Sequence, residues 1–157
     1  MCLAETKLPE RRRVIMMEQN IVFVENKAGS LKKVTKILAE HEINIYGFAC
    51  FDTPEFAIFR MVCSDPHKAE NVLSEHGYMN RITNVIVVNL KDEVGGLDDL
   101  LNVLAESNVS LNYIYTSFHR QNLIPVVILH SEEISVTESV LKNNGFSVLN
   151  SVDELKQ

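Results

Sequence analysis

This sequence of 157 residues lacks the features that mark membrane-spanning and secreted proteins. No stretch approaches the roughly 18 consecutive apolar residues that a membrane span needs, and the N-terminus has no apolar core of the kind found in signal peptides. The three cysteines, at positions 2, 50 and 63, form no CxxC pair, so the sequence favours neither a disulfide framework nor a zinc knuckle. We therefore expect a cytoplasmic protein that has no contact with a membrane.

Basic residues are also scarce. The chain has 15 lysines and arginines against 21 aspartates and glutamates, which gives a net charge of −6. A protein that binds the phosphate backbone of a nucleic acid needs a basic stripe, and the only basic cluster, Arg11 to Arg13, stands in a segment without periodic pattern. We expect no nucleic-acid partner. We also expect residues 1–17 to be a flexible tail, with Met16 or Met17 as an alternative start.

The sequence does contain an internal repeat. The segment Asn26–Leu31 returns as Asp92–Leu97, and Ile43–Ile45 returns as Val109–Leu111, each 66 residues further along the chain. That period matches a small domain rather than a solenoid unit. With 46% apolar and 23% charged residues, the chain has the composition of a globular protein. The two predicted domains are residues 18–83 and residues 84–157.

Each copy shows the same order of strands and helices. Apolar residues at helical spacing follow each glycine turn, and Asp65 with Pro66 forms a typical start for a second helix. The order βαββαβ predicts an α+β fold of two ferredoxin-like units in tandem, each an antiparallel sheet with helices on one face. Almost no linker separates the copies, so we expect them to pack as a fixed pair. The predicted strands are Gln19–Glu25, Ile43–Phe51, Phe56–Cys63, Tyr78–Thr83, Val85–Leu90, Leu111–Phe118, Leu123–Leu129 and Phe146–Leu149.

Several predicted strands are apolar on both faces, as Phe56–Cys63 and Ile124–Leu129 show. A sheet with helices on one side only is expected to be polar on its other side. Something must therefore cover the open faces, most simply a second copy of the chain, and we expect a homodimer. Pro125 has no N–H for a central strand, so we expect it at the start of its strand or at a bulge.

The repeated pattern resembles the ACT domain, a regulatory module that binds amino acids. It covers roughly residues 18–149 and is similar to free-standing tandem ACT proteins of bacteria and archaea, which carry no attached enzyme. The resemblance implies a sensor of an amino acid that has no catalytic activity. The residues that carry the resemblance are Asn26-x-x-Gly29-x-Leu31-x-x-Val34, Ile43-Asn44-Ile45, their counterparts in the second copy, Asp52–Ile58 and Ser64–Ala69.

In proteins similar to this one, amino acids bind where two ACT units meet, between the glycine turn of one unit and the strand after the first helix of its neighbour. The N–H groups at a helix start, here residues 29–31 and 95–97, are unpaired and suit a ligand carboxylate. The ligand ammonium needs oxygen acceptors. The ligand-binding residues predicted in this way are Asn26, Ala28, Gly29, Ser30, Leu31, Asn44, Asp52, Gly95, Gly96, Leu97, Asn112, Tyr113 and Tyr115.

The second copy departs from the family pattern, because Asp92 and Ser110 stand where the first copy has Asn26 and Asn44. A carboxylate at position 92 would repel a ligand carboxylate. We therefore expect the second glycine turn to bind the ligand weakly. The second copy would instead contribute Asn112, Tyr113 and Tyr115 to the wall of the site. Structural interpretations stay open for Asn44, which could cap a strand corner, and for the two tyrosines, which could be interface packing.

The sequence indicates neither catalysis, nor a metal centre, nor a cofactor. A nucleophile needs a positioned base, and Cys50 and Cys63 lie in predicted strands, where we expect core or interface thiols. His41 and His76 each close an apolar stripe at a helix end, which is typical of structural histidines. The alternative function is a regulatory subunit that docks on an amino-acid biosynthetic enzyme, as the small subunit of acetolactate synthase does. That interpretation adds a metabolic enzyme as a partner.

Overall fold

The computed structural model describes residues 16–157. The predicted flexible tail lies outside the described residues except for Met16 and Met17, and Met17 already begins the first strand. Of the described helices, none is long and apolar enough to cross a membrane. The strands are β1 (Met17–Glu25), β2 (Ile45–Asp52), β3 (Phe56–Cys63), β4 (Asn80–Asn89), β5 (Tyr113–Phe118), β6 (Pro125–His130) and β7 (Val148–Leu149). The helices are α1 (Ser30–Glu40), α2 (Pro66–Glu75), α3 (Gly96–Glu106) and α4 (Ile134–Asn143), and a 3₁₀ turn at Glu154–Lys156 follows β7.

Two antiparallel sheets with the same strand order confirm the predicted fold. The order is β4-β1-β3-β2 in the first unit and β7-β4-β6-β5 in the second. Helices α1 and α2 pack on one face of the first sheet, around a core that includes Leu38 and Phe59. Helices α3 and α4 pack in the same way on the second sheet, around Leu104 and Leu141. Each unit is thus a ferredoxin-like βαββαβ fold with its helices on one face.

Strand β4 belongs to both sheets. Its residues up to Val85 pair with β1, and its residues from Ile86 pair with β6 and β7. The prediction of two separate strands here is wrong, because no glycine or proline interrupts the chain between residues 80 and 89. The last strand, β7, is also shorter than the predicted Phe146–Leu149.

Two local predictions are confirmed. Asp65 caps α2, since its Oδ1 accepts the N–H of Lys68 at 2.9 Å, and Pro66 occupies the first helical position. Pro125 is the first residue of β6, where its missing N–H does not interrupt the ladder. Its carbonyl oxygen accepts the N–H of Leu90 at 2.9 Å.

The open faces of the two sheets pack against each other within one chain. Their common core contains Tyr46 and Val62 from the first unit and Val87, Tyr115 and Ile128 from the second. The molecule therefore has four layers, in the order helices, sheet, sheet, helices. The expectation that a second copy of the chain covers these faces is wrong, because the other unit of the same chain covers them.

The edge strands β2 and β5 come close together where the two sheets meet. Ser117 Oγ donates a hydrogen bond to the carbonyl oxygen of Tyr46 across this contact. A Cβ atom on Gly47 would lie 2.9 Å from Ile128 Cδ1 and 3.0 Å from Ser117 Cβ. A larger residue at position 47 would therefore force Ile128 and Ser117 to shift.

We expect Gly47→Ala to lower the free energy of unfolding by about 1–3 kcal/mol, because the added methyl group overpacks the contact between the sheets. Ile128→Val removes the Cδ1 atom that lies nearest. The double variant should therefore lose less than the sum of the two single losses, measured by urea denaturation of all four proteins. Strictly additive losses would mean that residues 47 and 128 do not meet.

Candidate functional site

The two glycine turns have the same backbone conformation. Gly29 has a φ of 82° and Gly95 a φ of 93°, and each is the N-cap of the helix that follows it. A Cβ atom at either position would meet nothing within 4 Å. The left-handed φ is therefore what requires glycine, because residues with a Cβ rarely adopt it. The repeat in the sequence corresponds to a repeated helix start.

Some of the N–H groups that we predicted to be unpaired are used inside these turns. The N–H of Ser30 donates to the carbonyl oxygen of Lys27 at 3.1 Å, and the N–H of Gly96 donates to that of Glu93 at 3.1 Å. These two donors are therefore not available to a ligand, and the prediction is corrected at both positions.

The two helix starts differ in charge. The first turn of α1 carries no acidic residue, whereas Asp98 and Asp99 lie in the first turn of α3. Near the first start, Lys27, Lys32 and Lys33 outnumber Glu25, and near the second, Asp92 and Glu93 outnumber Lys91. Coulomb attraction therefore favours an anionic group at α1 and opposes one at α3.

The second glycine turn borders two cavities that lie within the second unit. Gly95 and Leu97 line a cavity of about 560 Å³ between α3 and β5. Gly96 lines another, of about 500 Å³, between α3 and the segment after α4. A Cβ atom on Gly96 would lie 2.3 Å from the carbonyl oxygen of Lys91, so the turn itself requires glycine there.

A further cavity, of about 460 Å³, lies between the two units, and we call it the junction cavity. It joins Leu31, next to the first glycine turn, to β5, the strand that follows the first helix of the other unit. This is the type of location that the family resemblance implied. Its apolar wall consists of Leu31, Ile45, Phe48, Phe59 and Phe118. Its polar side chains are those of Thr35, Tyr46, Thr116, Ser117 and Arg120.

Arg120 brings a positive charge to the junction cavity. Its Nη2 donates to the carbonyl oxygen of Ile45 at 2.6 Å, and its guanidinium carbon lies 5.5 Å from the centre of the Tyr46 ring. Its backbone N–H donates to the carbonyl oxygen of Leu155 at 3.0 Å. A guanidinium group presents several donors in one plane, which matches the geometry of a carboxylate.

The structure does not bring the predicted residues of the first unit together. Asn26 and Ala28 are exposed in the loop before α1. Asn44 precedes β2, and its backbone is joined to Ser64 by two hydrogen bonds of 2.9 and 3.0 Å. Asp52 is at the other end of the same eight-residue strand. Such a strand spans roughly 25 Å, so Asn44 and Asp52 do not reach the same small ligand.

The predicted wall residues of the second unit also lie away from both glycine turns. Asn112 Oδ1 is 3.0 Å from His130 Nδ1. Tyr115 donates a hydrogen bond to Gln19 Oε1, and Gln19 Nε2 donates to the Tyr113 hydroxyl oxygen at 2.8 Å. Burial between the sheets raises the pKa of both tyrosine hydroxyls. The structure thus places the tyrosines in the packing between the units.

The described thiols are not activated nucleophiles. Burial raises the pKa of Cys63 to about 11, and its Sγ donates to Asn20 Oδ1 at 3.3 Å. Burial and the nearby Asp52 carboxylate raise the pKa of Cys50. A raised pKa leaves less thiolate at neutral pH. Within residues 16–157, no three histidine, cysteine, aspartate or glutamate side chains converge as a metal site.

The sequence matches the family model of the ACT domain pair over residues 15–155. The chain therefore belongs to the ACT domain pair family. ACT domains are regulatory domains that bind amino acids, and they are not catalytic. Comparison with curated proteins gives no match.

Solved structures show the same fold. A protein from Bacteroides thetaiotaomicron has a TM-score of 0.82 and 28% identity, with 91% of this chain and 98% of that chain covered. The ligand-free regulatory subunit of aspartate kinase from Thermus thermophilus has a TM-score of 0.60 and 15% identity, with coverage of 84% and 95%. The corresponding subunit from Thermus flavus has a TM-score of 0.52 and 17% identity, with coverage of 82% and 92%.

Proposed function

We propose that this chain is a cytoplasmic, non-catalytic sensor that binds an amino acid in the junction cavity and has a regulatory role. The observation that carries the proposal is the position of that cavity in a member of the ACT domain pair family. It extends from Leu31, in the first turn of α1, to β5, the strand after the first helix of the other unit. Its volume of about 460 Å³ is within the range of small-molecule sites.

The lining of the junction cavity suits the three parts of an amino acid. Arg120 and the lysine-rich start of α1 attract the carboxylate. The ammonium group finds oxygen acceptors in the hydroxyls of Thr116 and Ser117, and in the carbonyl groups on the free edges of β2 and β5. Phe48 and Phe118, which are 61% and 52% exposed, offer apolar surface to the side chain of the ligand.

The proposal is tested directly by a thermal-shift screen of the twenty amino acids on the purified chain. A ligand present at 100 times its dissociation constant adds about 2.7 kcal/mol to the free energy of unfolding, which raises the melting temperature by several degrees. The proposal fails if no amino acid stabilises the chain while ATP or a divalent metal ion does.

The first glycine turn is expected to dominate binding. Gly29→Asp places a negative side chain at the start of α1, two residues before Leu31 of the cavity wall, and should weaken binding at least tenfold by titration calorimetry. Gly95→Asp is the matched control, because both positions have a left-handed φ and open space around the Cβ. The backbone cost is therefore similar in the two variants. Equal losses of affinity would show that the two turns are equivalent.

Arg120 is expected to hold the carboxylate of the ligand. Arg120→Gln removes a charge-assisted hydrogen bond, which typically contributes about 1.5–3 kcal/mol, so the dissociation constant should rise about 10- to 100-fold. The carboxamide form of the same amino acid should bind the native chain weakly, and Arg120→Gln should weaken that binding little further. An amide that binds as tightly as the acid would contradict this assignment.

The open sheet faces are covered within one chain and give no reason for a dimer. We still propose a homodimer, because apolar side chains are exposed near the second glycine turn. Val94, Leu97 and Leu101 lie there at 106%, 43% and 38% exposure. Light scattering at micromolar concentration should give about twice the chain mass. A clean monomer at every concentration would rule the dimer out.

The alternative function, a subunit that docks on a biosynthetic enzyme, is supported by the fold that the chain shares with regulatory subunits of aspartate kinase. Under this alternative the isolated chain need not bind an amino acid, and the ligand matters in the complex. The thermal-shift screen on the free chain therefore separates the two functions, because the sensor requires stabilisation by an amino acid and the docking subunit does not.

A further inference from the structure

Two arginines flank strand β1 on the face of the first sheet that turns toward the second unit. Arg60 of β3 and Arg81 of β4 are both paired with Ile21 of β1, one on each side of it. Residues paired across neighbouring strands point to the same face of a sheet. The Arg60 guanidinium carbon lies 3.8 Å from the centre of the Tyr113 ring, which belongs to the second unit. This face therefore places two positive charges at the mouth of the space between the sheets.

Arg60 has hydrogen-bond donors that nothing in the described chain satisfies. Its Nε and Nη1 atoms are buried and have no acceptor. Within residues 16–157, no carboxylate forms a salt bridge with Arg60 or Arg81, although the chain has 21 acidic residues. Arginine stays charged in proteins, and a buried charge without a partner is costly. The stacking on Tyr113 offsets only part of that cost.

The hydroxyl of Tyr113 adds a further donor. Its oxygen accepts a hydrogen bond from Gln19 Nε2, whose own oxygen is taken by Tyr115. The hydrogen bonds of the described residues include none that the Tyr113 hydroxyl donates. The space next to Arg60 thus holds more hydrogen-bond donors than acceptors. A bound anion would supply the missing acceptors.

We propose that Arg60, Arg81 and Tyr113 form a binding site for a small oxyanion group, a phosphate or a carboxylate. Arg81 is exposed and forms the entrance, whereas Arg60 and Tyr113 are partly buried and form the inner end. None of the cavities described above is lined by these three residues, so the exposed Arg81 side chain must move aside for a small anion to reach Arg60. The site shares no residue with the junction cavity, and its existence does not depend on the proposed amino-acid sensing.

His130 provides a probe of this site, because its ring stacks on Tyr113 with the two ring centres 5.2 Å apart. Burial lowers the pKa of His130, and so do the charges of Arg60 and Arg81, while Glu132 raises it. An anion bound between the arginines opposes their charges and stabilises the protonated ring. Anion binding should therefore move the pKa of His130 upward.

The experiment uses inorganic phosphate with the full-length chain, at constant ionic strength set by sodium chloride. Phosphate should raise the melting temperature of the native chain and the pKa of His130, followed by NMR of its ring protons. Arg81→Gln, at an exposed position, should raise the dissociation constant for phosphate at least tenfold and abolish the pKa change. Lys36→Gln is the control, because it removes an exposed positive charge of α1 outside both proposed sites, and it should leave both effects intact.

Arg60→Met gives a second, independent test. It removes a charge without a partner, so the melting temperature without phosphate should stay the same or rise, while the response to phosphate should disappear. The proposal is wrong if phosphate acts equally on the native chain, Arg81→Gln and Arg60→Met, or if neither phosphate nor succinate has an effect on the native chain. Succinate, tested in the same way, shows whether a carboxylate enters in place of a phosphate. Because these readouts involve no amino acid, they remain informative if amino-acid sensing fails.

Discussion

The packing of the two sheets depends on one strand that both of them use. Because β4 runs from Asn80 to Asn89 without a break, the first sheet passes directly into the second. No linker allows the units to rotate, so the twist of this strand and the pairing on its two halves fix how they meet. The open face of each sheet then covers the open face of the other. A core of apolar side chains between the sheets stabilises that contact.

The position of the candidate site follows from this packing. When the open faces meet, the edge strands β2 and β5 come together, and Gly47 lets their backbones approach. The start of α1 then lies close to β5 of the other unit, whereas the start of α3 borders two cavities lined by its own unit. Two helix starts with the same backbone geometry therefore have different neighbours, and they differ in charge as well.

The sequence predicted the fold well because the fold is set by local signals. The repeat predicted two units, the Asp65–Pro66 pair predicted the start of α2, and Phe56–Cys63 was predicted with the bounds that β3 has. The candidate site was harder, because it depends on tertiary contacts. Arg120 lies outside the repeated motifs, and Asn44 and Asp52 match the family motif yet lie at opposite ends of β2. A motif shows which residues are alike in two proteins, but not which of them meet in space.

The space between the sheets is not uniformly apolar, and its polar groups explain why the two units take one relative position. Gln19 is fully buried, and its side-chain amide is matched on both sides by Tyr113 and Tyr115. A shift of one unit against the other would break both hydrogen bonds and leave a buried amide unsatisfied, which costs more than the bonds themselves contribute. Arg60 is the exception, since its buried donors have no acceptor in the described chain. Buried polar groups in folded proteins are normally paired, and the unmatched donors at this point are the basis of the proposed oxyanion site.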